Sequence, residues 1–236
     1  MKIVMGLSGG MDSATLSGVL LDEGYEVHCC IFHYGATHGS YEANAAHRVI
    51  SYFHTFYSGK VHKHHIDITP VMSEFSSNLL KACEGEIPEG HYNHENMKKT
   101  VVPGRNLIFT SILAGLAESI GVGKVALGIH SGDYHIYPDC RKEFAKALDT
   151  TIYLSTDKNV ELIAPFANDD KTSILRKGYK LKVIAPYHLT RTCYKNQELS
   201  CGKCGSCRER LEAFEKIGIQ DPVKYERRDI NEHSKD

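Results

Sequence analysis

No apolar run in this chain of 236 residues approaches the roughly 18 residues of a membrane-spanning helix. No sign of charge dominates either: 28 basic residues face 29 acidic ones, for a net charge of −1. That balance is a poor footprint for neutralising a long nucleic-acid backbone, so no direct nucleic-acid partner and no membrane are expected. The most basic stretch, RKGYKLK at 176–182, reads as a solvated helix end. Internal repeats and low-complexity tracts are missing too, which excludes solenoids and collagen-like chains. With 42% hydrophobic and 24% charged residues, the chain can bury an ordinary core. A strand expected within two residues of Met1 leaves no room for a secretory signal. A reducing, cytoplasmic setting follows, in which eight cysteines serve as metal ligands or small buried groups rather than disulfides.

What is present is a strand and helix rhythm. KIVMGL (2–7) is a continuous apolar run, as for a strand covered on both faces. MDSATLSGVLLDEG (11–24) has near-helical apolar spacing and ends on Gly24, the residue type expected at C′. Strands are expected at 26–34 and 60–68, with a helix at 40–56 between them. This β-α-β-α-β order implies a parallel sheet with right-handed crossovers. Residues 84–102 break the rhythm as a polar excursion. Beyond it come a helix over 105–120, a strand over 124–130, a helix opening near Pro138, a strand over 161–166 and a helix over 168–179. The class is α/β, a parallel sheet with helices on both faces over 1–186, followed by a cysteine-rich segment over 187–236 with a charged, frayed tail from 226.

The loop after the first strand reads GLSGGMDS (6–13). Strand, glycine turn and helix in that order aim free backbone N–H groups at an anion. No Lys follows Gly10, so this is not a Walker loop, and the dinucleotide fingerprint is also missing. What remains is S-G-G-x-D-S: Ser8, Gly9, Gly10, Asp12 and Ser13. Glycine admits phosphate oxygens close to the backbone, and the hydroxyls donate to them. Asp12 would repel phosphate unless it holds Mg²⁺ or caps the turn.

Cys193, Cys201, Cys204 and Cys207 follow the spacing C-x7-C-x2-C-x2-C. Four thiolates with glycines between them suit a closed, structural tetrahedral Zn²⁺; an iron–sulfur cluster is the rival. Cys29, Cys30, Cys83 and Cys140 read as buried apolar residues, Cys140 with a weak claim to more. His62, His64 and His65 read as a polar strand face, since no carboxylate or cysteine motif accompanies them in sequence.

The opening loop resembles the PP-loop of the ATP pyrophosphatase superfamily, which cleaves ATP between its α and β phosphates. With VPGRN (102–106), YPDCR (137–141) and the cysteine block running to Arg210, the chain resembles the 7-cyano-7-deazaguanine synthase family along nearly its whole length. The resemblance implies a Rossmann-like, adenine nucleotide alpha hydrolase-like fold with a C-terminal zinc-binding subdomain. It implies ATP, Mg²⁺ and structural Zn²⁺, a homodimer, and conversion of 7-carboxy-7-deazaguanine and ammonia to the nitrile for 7-deazapurine biosynthesis. Nucleotide would lie on Leu7, Ser8, Gly9, Gly10, Met11, Asp12, Ser13, Ala14, Thr15, Tyr34, Gly35 and Arg105, with adenine near Phe32 to Gly35. Arg105 and Lys171 would meet pyrophosphate, and Asp12 would act with them. Asp133 and Asp139 would hold ring N–H groups or take up protons, with Tyr137, Pro138 and Arg141 beside the acceptor. The bland reading of VPGRN is a helix entry with Asn106 as cap. The family's usual D-Y-G-Q-R-H reads H-Y-G-A-T-H at 33–38, and His130, His135 and Ile136 replace further family residues. A variant that stops at the amide or uses another acceptor is therefore the alternative, then another PP-loop ligase such as a tRNA thiolase. A nucleotide-binding module without catalysis would leave the zinc block unexplained.

Overall fold

The computed structural model describes residues 1–83, 85–90 and 95–228. Five parallel strands form the sheet: β1 (Lys2–Gly6), β2 (Glu26–His33), β3 (Val61–Asp67), β4 (Lys124–Ala126) and β5 (Glu161–Ile163). Their order is β3-β2-β1-β4-β5. The chain therefore winds outward from β1 in one direction, then returns to β1's other side with β4, and a crevice opens at that reversal.

Alternation along β1 divides the core. Ile3 and Met5 face α1 (Met11–Asp22) and α2 (Gly39–Phe56), whereas Val4 faces α4 (Arg105–Ser119) and α5 (Lys142–Ser155). The short α3 (Thr69–Met72) precedes α4, and α6 (Lys171–Tyr179) and α7 (Gly205–Lys216) complete the helices. α1 ends as its sequence suggests, with Gly24 at φ +91° just beyond Glu23. α6 is capped by Asp170, whose carboxylate accepts the Ser173 N–H at 2.7 Å.

Several expectations change. β4 and β5 hold only three residues each; beyond β4 the chain, Leu127 to His130, turns into the crevice. Pro138 opens a 3₁₀ turn, Pro138–Cys140, and α5 starts at Lys142. Asn106 lies inside α4, whose N-cap is Gly104 at φ +61°. By composition Met97–Ser119 has the length and apolarity of a membrane span. It is broken at 101–104, and α4's 15 residues pack Leu113, Ala114 and Ala117 into the core. Cys83 is only half-buried, while Cys29, Cys30 and Cys140 are buried as expected.

The expected boundary at 186–187 is crossed by packing. Ala213 and Phe214 of α7 join Met11 and Leu175 in one apolar cluster. Within the excursion, Glu95–Thr100 is a 3₁₀ helix, and Gly90 donates its N–H to Lys203 O at 3.1 Å, so this segment lies against the cysteine block. Residues 84 and 91–94 fall outside the described residues. Glu226 to Arg228 are anchored instead of frayed: Glu226 donates to Ser200 O, and the Arg228 guanidinium donates to Asp221 O and Val223 O. The tail from 229 to 236 falls outside the described residues.

Candidate active site and metal centre

A cavity of about 240 Å³ opens at the carboxyl ends of β1, β2 and β4. The opening loop forms one wall. Gly9 holds φ +77° and sits so close to α2 that a Cβ would lie 2.5 Å from Ala46 N, so only glycine fits. That contact, with Arg191 N–H donating to Gly9 O at 2.8 Å, fixes the turn. Ser8 and Ser13 share a hydroxyl hydrogen bond of 3.1 Å at its mouth. The first amides of α1 have no carbonyl of their own helix to meet, and they follow directly on this turn.

A charged cluster stands beside the loop. Lys171 Nζ is 3.3 Å from Asp12 Oδ2 and 2.6 Å from Glu209 Oε2. His130 Nε2 is 3.7 Å from Asp12 and 3.4 Å from Asp133. Burial opposes ionisation of Asp12, but Lys171 and His130 outweigh it and hold the carboxyl below its ordinary range. Burial also opposes the Lys171 charge, which Asp12, Glu209 and Asp133 more than restore. Glu209, by contrast, is pushed up by burial. Asp12 Oδ1 is buried without a hydrogen-bond partner among the described residues, the condition of a carboxylate suited to a hard cation.

The far end of the cavity is aromatic and carries the Arg105 guanidinium. Phe32 and Phe109 stack with centroids 4.1 Å apart and an interplanar angle of 7°. Tyr34, His38, Glu42, Arg105, Tyr137 and Tyr194 line the rest. Burial raises the Glu42 carboxyl to about 7 against the pull of Arg105. Burial, with Arg105 and Arg191, lowers His38 to about 3. The cavity thus presents a charged end, where Lys171 stands among Asp12, Asp133 and Glu209, and a flat aromatic seat.

The structure gathers part of the expected set. Leu7, Ser8, Gly10, Met11, Asp12, Ser13, Tyr34, Arg105, Asp133, Tyr137 and Lys171 line the cavity. Ala14 and Thr15 are buried within α1, and the Thr15 hydroxyl meets Met11 O and the Tyr187 hydroxyl instead. Gly9 and Gly35 shape turns behind the wall, Gly35 at φ +76°. Pro138 and Asp139 lie outside it; Asp139 Oδ2 accepts the Asn106 N–H at 2.9 Å and so ties the YPDC turn to α4. Arg141 is exposed, donating to Tyr134 O. Ala36 and Thr37, at the altered family positions, do not line the cavity either; Ala36 bridges to Leu80. Cys140 lines it as a neutral thiol, since burial and the carboxylates of Asp133 and Asp139 push its ionisation upward. Sequence reasoning missed Glu209, Glu42, His38 and Arg191. Only spatial proximity reveals the first, while Glu42 carried a weak signal as an acidic residue in the first turn of α2.

The four cysteines are buried together, with their sulfurs all within 4.8 Å of one another. Four thiolates ~2.3 Å from a single tetrahedral ion stand roughly 3.8 Å apart, and Cys201 Sγ to Cys207 Sγ is 3.9 Å. Backbone N–H groups of Lys195 and Cys201 point at Cys193 Sγ, and those of Lys203 and Cys204 at Cys201 Sγ, at 3.3–3.4 Å. Such donors stabilise thiolate charge, so the tetrad fits one metal ion; the sulfurs are too close together to enclose a multi-iron cluster. Arg210 anchors the block: its guanidinium meets both Asp221 oxygens at 2.7 and 2.9 Å and also Thr190 Oγ1 and Tyr187 O.

Comparison with known proteins agrees with this architecture. An NMN synthetase from Francisella tularensis shares the fold, with a TM-score of 0.50 over 92% of this chain and 77% of that one at 15% identity. A 7-cyano-7-deazaguanine synthase of Archaeoglobus fulgidus is 46% identical over 224 residues, spanning 94% of this chain and 90% of the relative. One from Pseudoalteromonas atlantica is 43% identical over 225 residues, spanning 95% and 99%. The family model described as queuosine biosynthesis protein QueC matches residues 2–218. A chain that carries the glycine loop, the charged crevice and the cysteine tetrad, and that matches this family along its length, belongs to the QueC family of enzymes.

Proposed function

We propose that the protein converts 7-carboxy-7-deazaguanine and ammonia into 7-cyano-7-deazaguanine, with ATP activating the substrate oxygen twice. A carboxylate resists ammonia because oxide is a poor leaving group. Transfer of AMP to the carboxylate oxygen, with release of pyrophosphate, supplies a good one; ammonia displaces AMP and gives the amide. A second transfer, to the amide oxygen, followed by loss of a proton and AMP, forms the C≡N bond.

The observation that carries this reading is one cavity that unites the S-G-G-x-D-S turn, Lys171 and Arg105 with a flat aromatic seat. The α1 amides, Ser8 and Ser13 would receive the phosphates. Lys171, steadied by Asp12 and Glu209, would meet charge developing on pyrophosphate, as would Arg105. Mg²⁺ would be held by Asp12, with Asp133 facing the same His130, and would screen the phosphate charge. Phe32, Phe109 and Tyr34 would border the planar bases, and Glu42 offers an acceptor for ring N–H groups, the part first assigned to Asp139. Zn²⁺ in the cysteine tetrad would hold 193–207 in shape without touching substrate.

The relatives that match along the chain are 7-cyano-7-deazaguanine synthases, which favours the nitrile over a reaction stopping at the amide. The test is release of pyrophosphate that depends on both 7-carboxy-7-deazaguanine and ammonium, with mass spectrometry of the product. Nitrile is expected; amide alone supports the truncated reaction, and no substrate-dependent pyrophosphate contradicts the proposal.

A further inference from the structure

The sheet face that carries Cys30 beneath α4 continues outward to the edge strand β3, and there it is lined with imidazoles. Parallel register sets His28 opposite His62, and Cys30 opposite His64. Glu26 begins β2 two residues before His28 and so projects on the same side. His62 Nε2 lies 2.9 Å and His28 Nε2 3.8 Å from Glu26 Oε1. The three ligand atoms lie within 4.8 Å of one another. Among the described residues neither buried Nε2 atom makes a well-aligned hydrogen bond: His62 Nε2 stands at ion-pair distance from Glu26 Oε1, and His28 Nε2 is beyond hydrogen-bond reach of it. Two imidazole nitrogens and a carboxylate oxygen that converge in this way suit a shared cation.

We propose that Glu26, His28 and His62 form a second metal site, for a divalent ion such as Zn²⁺, that clasps β3 to β2. A His₂Glu set is a borderline-soft N/O donor set for that ion, with a position left for water. His64 supports it. Its Nε2 is 3.0 Å from His28 Nδ1, and metal binding selects the tautomer in which His28 donates there and presents its Nε2 lone pair. Lys2 is the nearest competitor, 3.4 Å from Glu26 and half-exposed, so it can swing away. The histidines on the other face differ. His33, His65 and His47 form a chain of successive ring contacts of 3.2 Å, and among the described residues they do not converge on a shared carboxylate as a ligand group. The proposed site lies at the amino-terminal ends of β2 and β3, away from the nucleotide cavity, so it acts on the sheet edge and not on the chemistry.

Full-length protein with its cysteine tetrad filled is dialysed against Zn²⁺ and the bound metal is counted. The expected result is a second equivalent per chain that raises the melting temperature. His62→Gln and Glu26→Gln each weaken that equivalent at least tenfold, and His64→Phe weakens it ~10–100-fold, while exposed His54→Gln leaves it unchanged. Because His62 is half-exposed, its variant is expected to fold. A single equivalent in the wild-type chain, or a second equivalent equally tight in His62→Gln and Glu26→Gln, overturns the proposal.

Discussion

The glycine loop and the cysteine block both hold backbone in turns that an ordinary core would not specify, but they do so by different means. The loop is gripped from behind by a sheet and two helices: Gly9 presses on α2, and α1 is buried on nearly every side. The cysteine block has little apolar surface of its own beyond Ile87, Tyr194 and Tyr225. Its shape is set by the converging sulfurs, which fit one metal ion, and by the Arg210–Asp221 pair. Packing can therefore hold a site open for a ligand that comes and goes, whereas a segment without a core needs a resident ion.

The largest expected effect separates these two devices. Stripping the tetrad by a strong chelator, or Cys204→Ser, removes binding energy of ~10–16 kcal/mol from the block. The far-ultraviolet signal of the sheet domain and of the packed half of α7, with Ala213 and Phe214, should persist at low temperature while the turns over 193–204 unfold and the melting point falls. A melt unchanged by chelation would show that packing alone suffices. Next comes the converse. Lys171→Met should leave the tetrad's metal content intact and cut pyrophosphate release by ~10²–10³-fold. Loss of metal together with rate would mean the two regions are not independent.

The smallest effect lies at the aromatic end of the cavity and depends on pH. Native Glu42 keeps its proton up to about pH 7, whereas an unfolded glutamate loses it near 4.5. The native state binds more protons in that window, so this group's stability contribution falls as pH rises from 4.5 to 7 and is flat above. His38 works in the opposite direction, losing stability as pH falls from 6.5 to about 3, because burial keeps the native imidazole neutral. Glu42→Gln should thus match the wild type near pH 4 and exceed its stability by roughly 1–3 kcal/mol at pH 8. Denaturant titrations at the two pH values check this, and equal differences at both would refute the buried-acid reading.

How much of this was legible in the sequence follows from how local each feature is. Strand, glycine pair and helix are adjacent in the chain, so SGGMDS announced its own geometry, as did four cysteines within fifteen residues. Glu209 meets Lys171 across 38 residues, on a helix whose sequence reads as an anchor for the cysteines. The carboxylate of the histidine cluster was missed for the same reason: Glu26 comes from the neighbouring strand, 36 residues before His62. YPDCR misled because it mixes purposes. Tyr137 faces the cavity, and Asp139 braces α4. Short β4 was overextended since the apolar residues beyond it, Leu127 and Ile129, line the crevice instead of a ladder.

The most direct test of AMP transfer to the substrate follows oxygen. With both carboxylate oxygens of 7-carboxy-7-deazaguanine labelled with ¹⁸O, each turnover to the nitrile should yield two AMP molecules, each carrying one labelled oxygen, and no label in pyrophosphate. Unlabelled AMP accompanying nitrile formation would contradict the account.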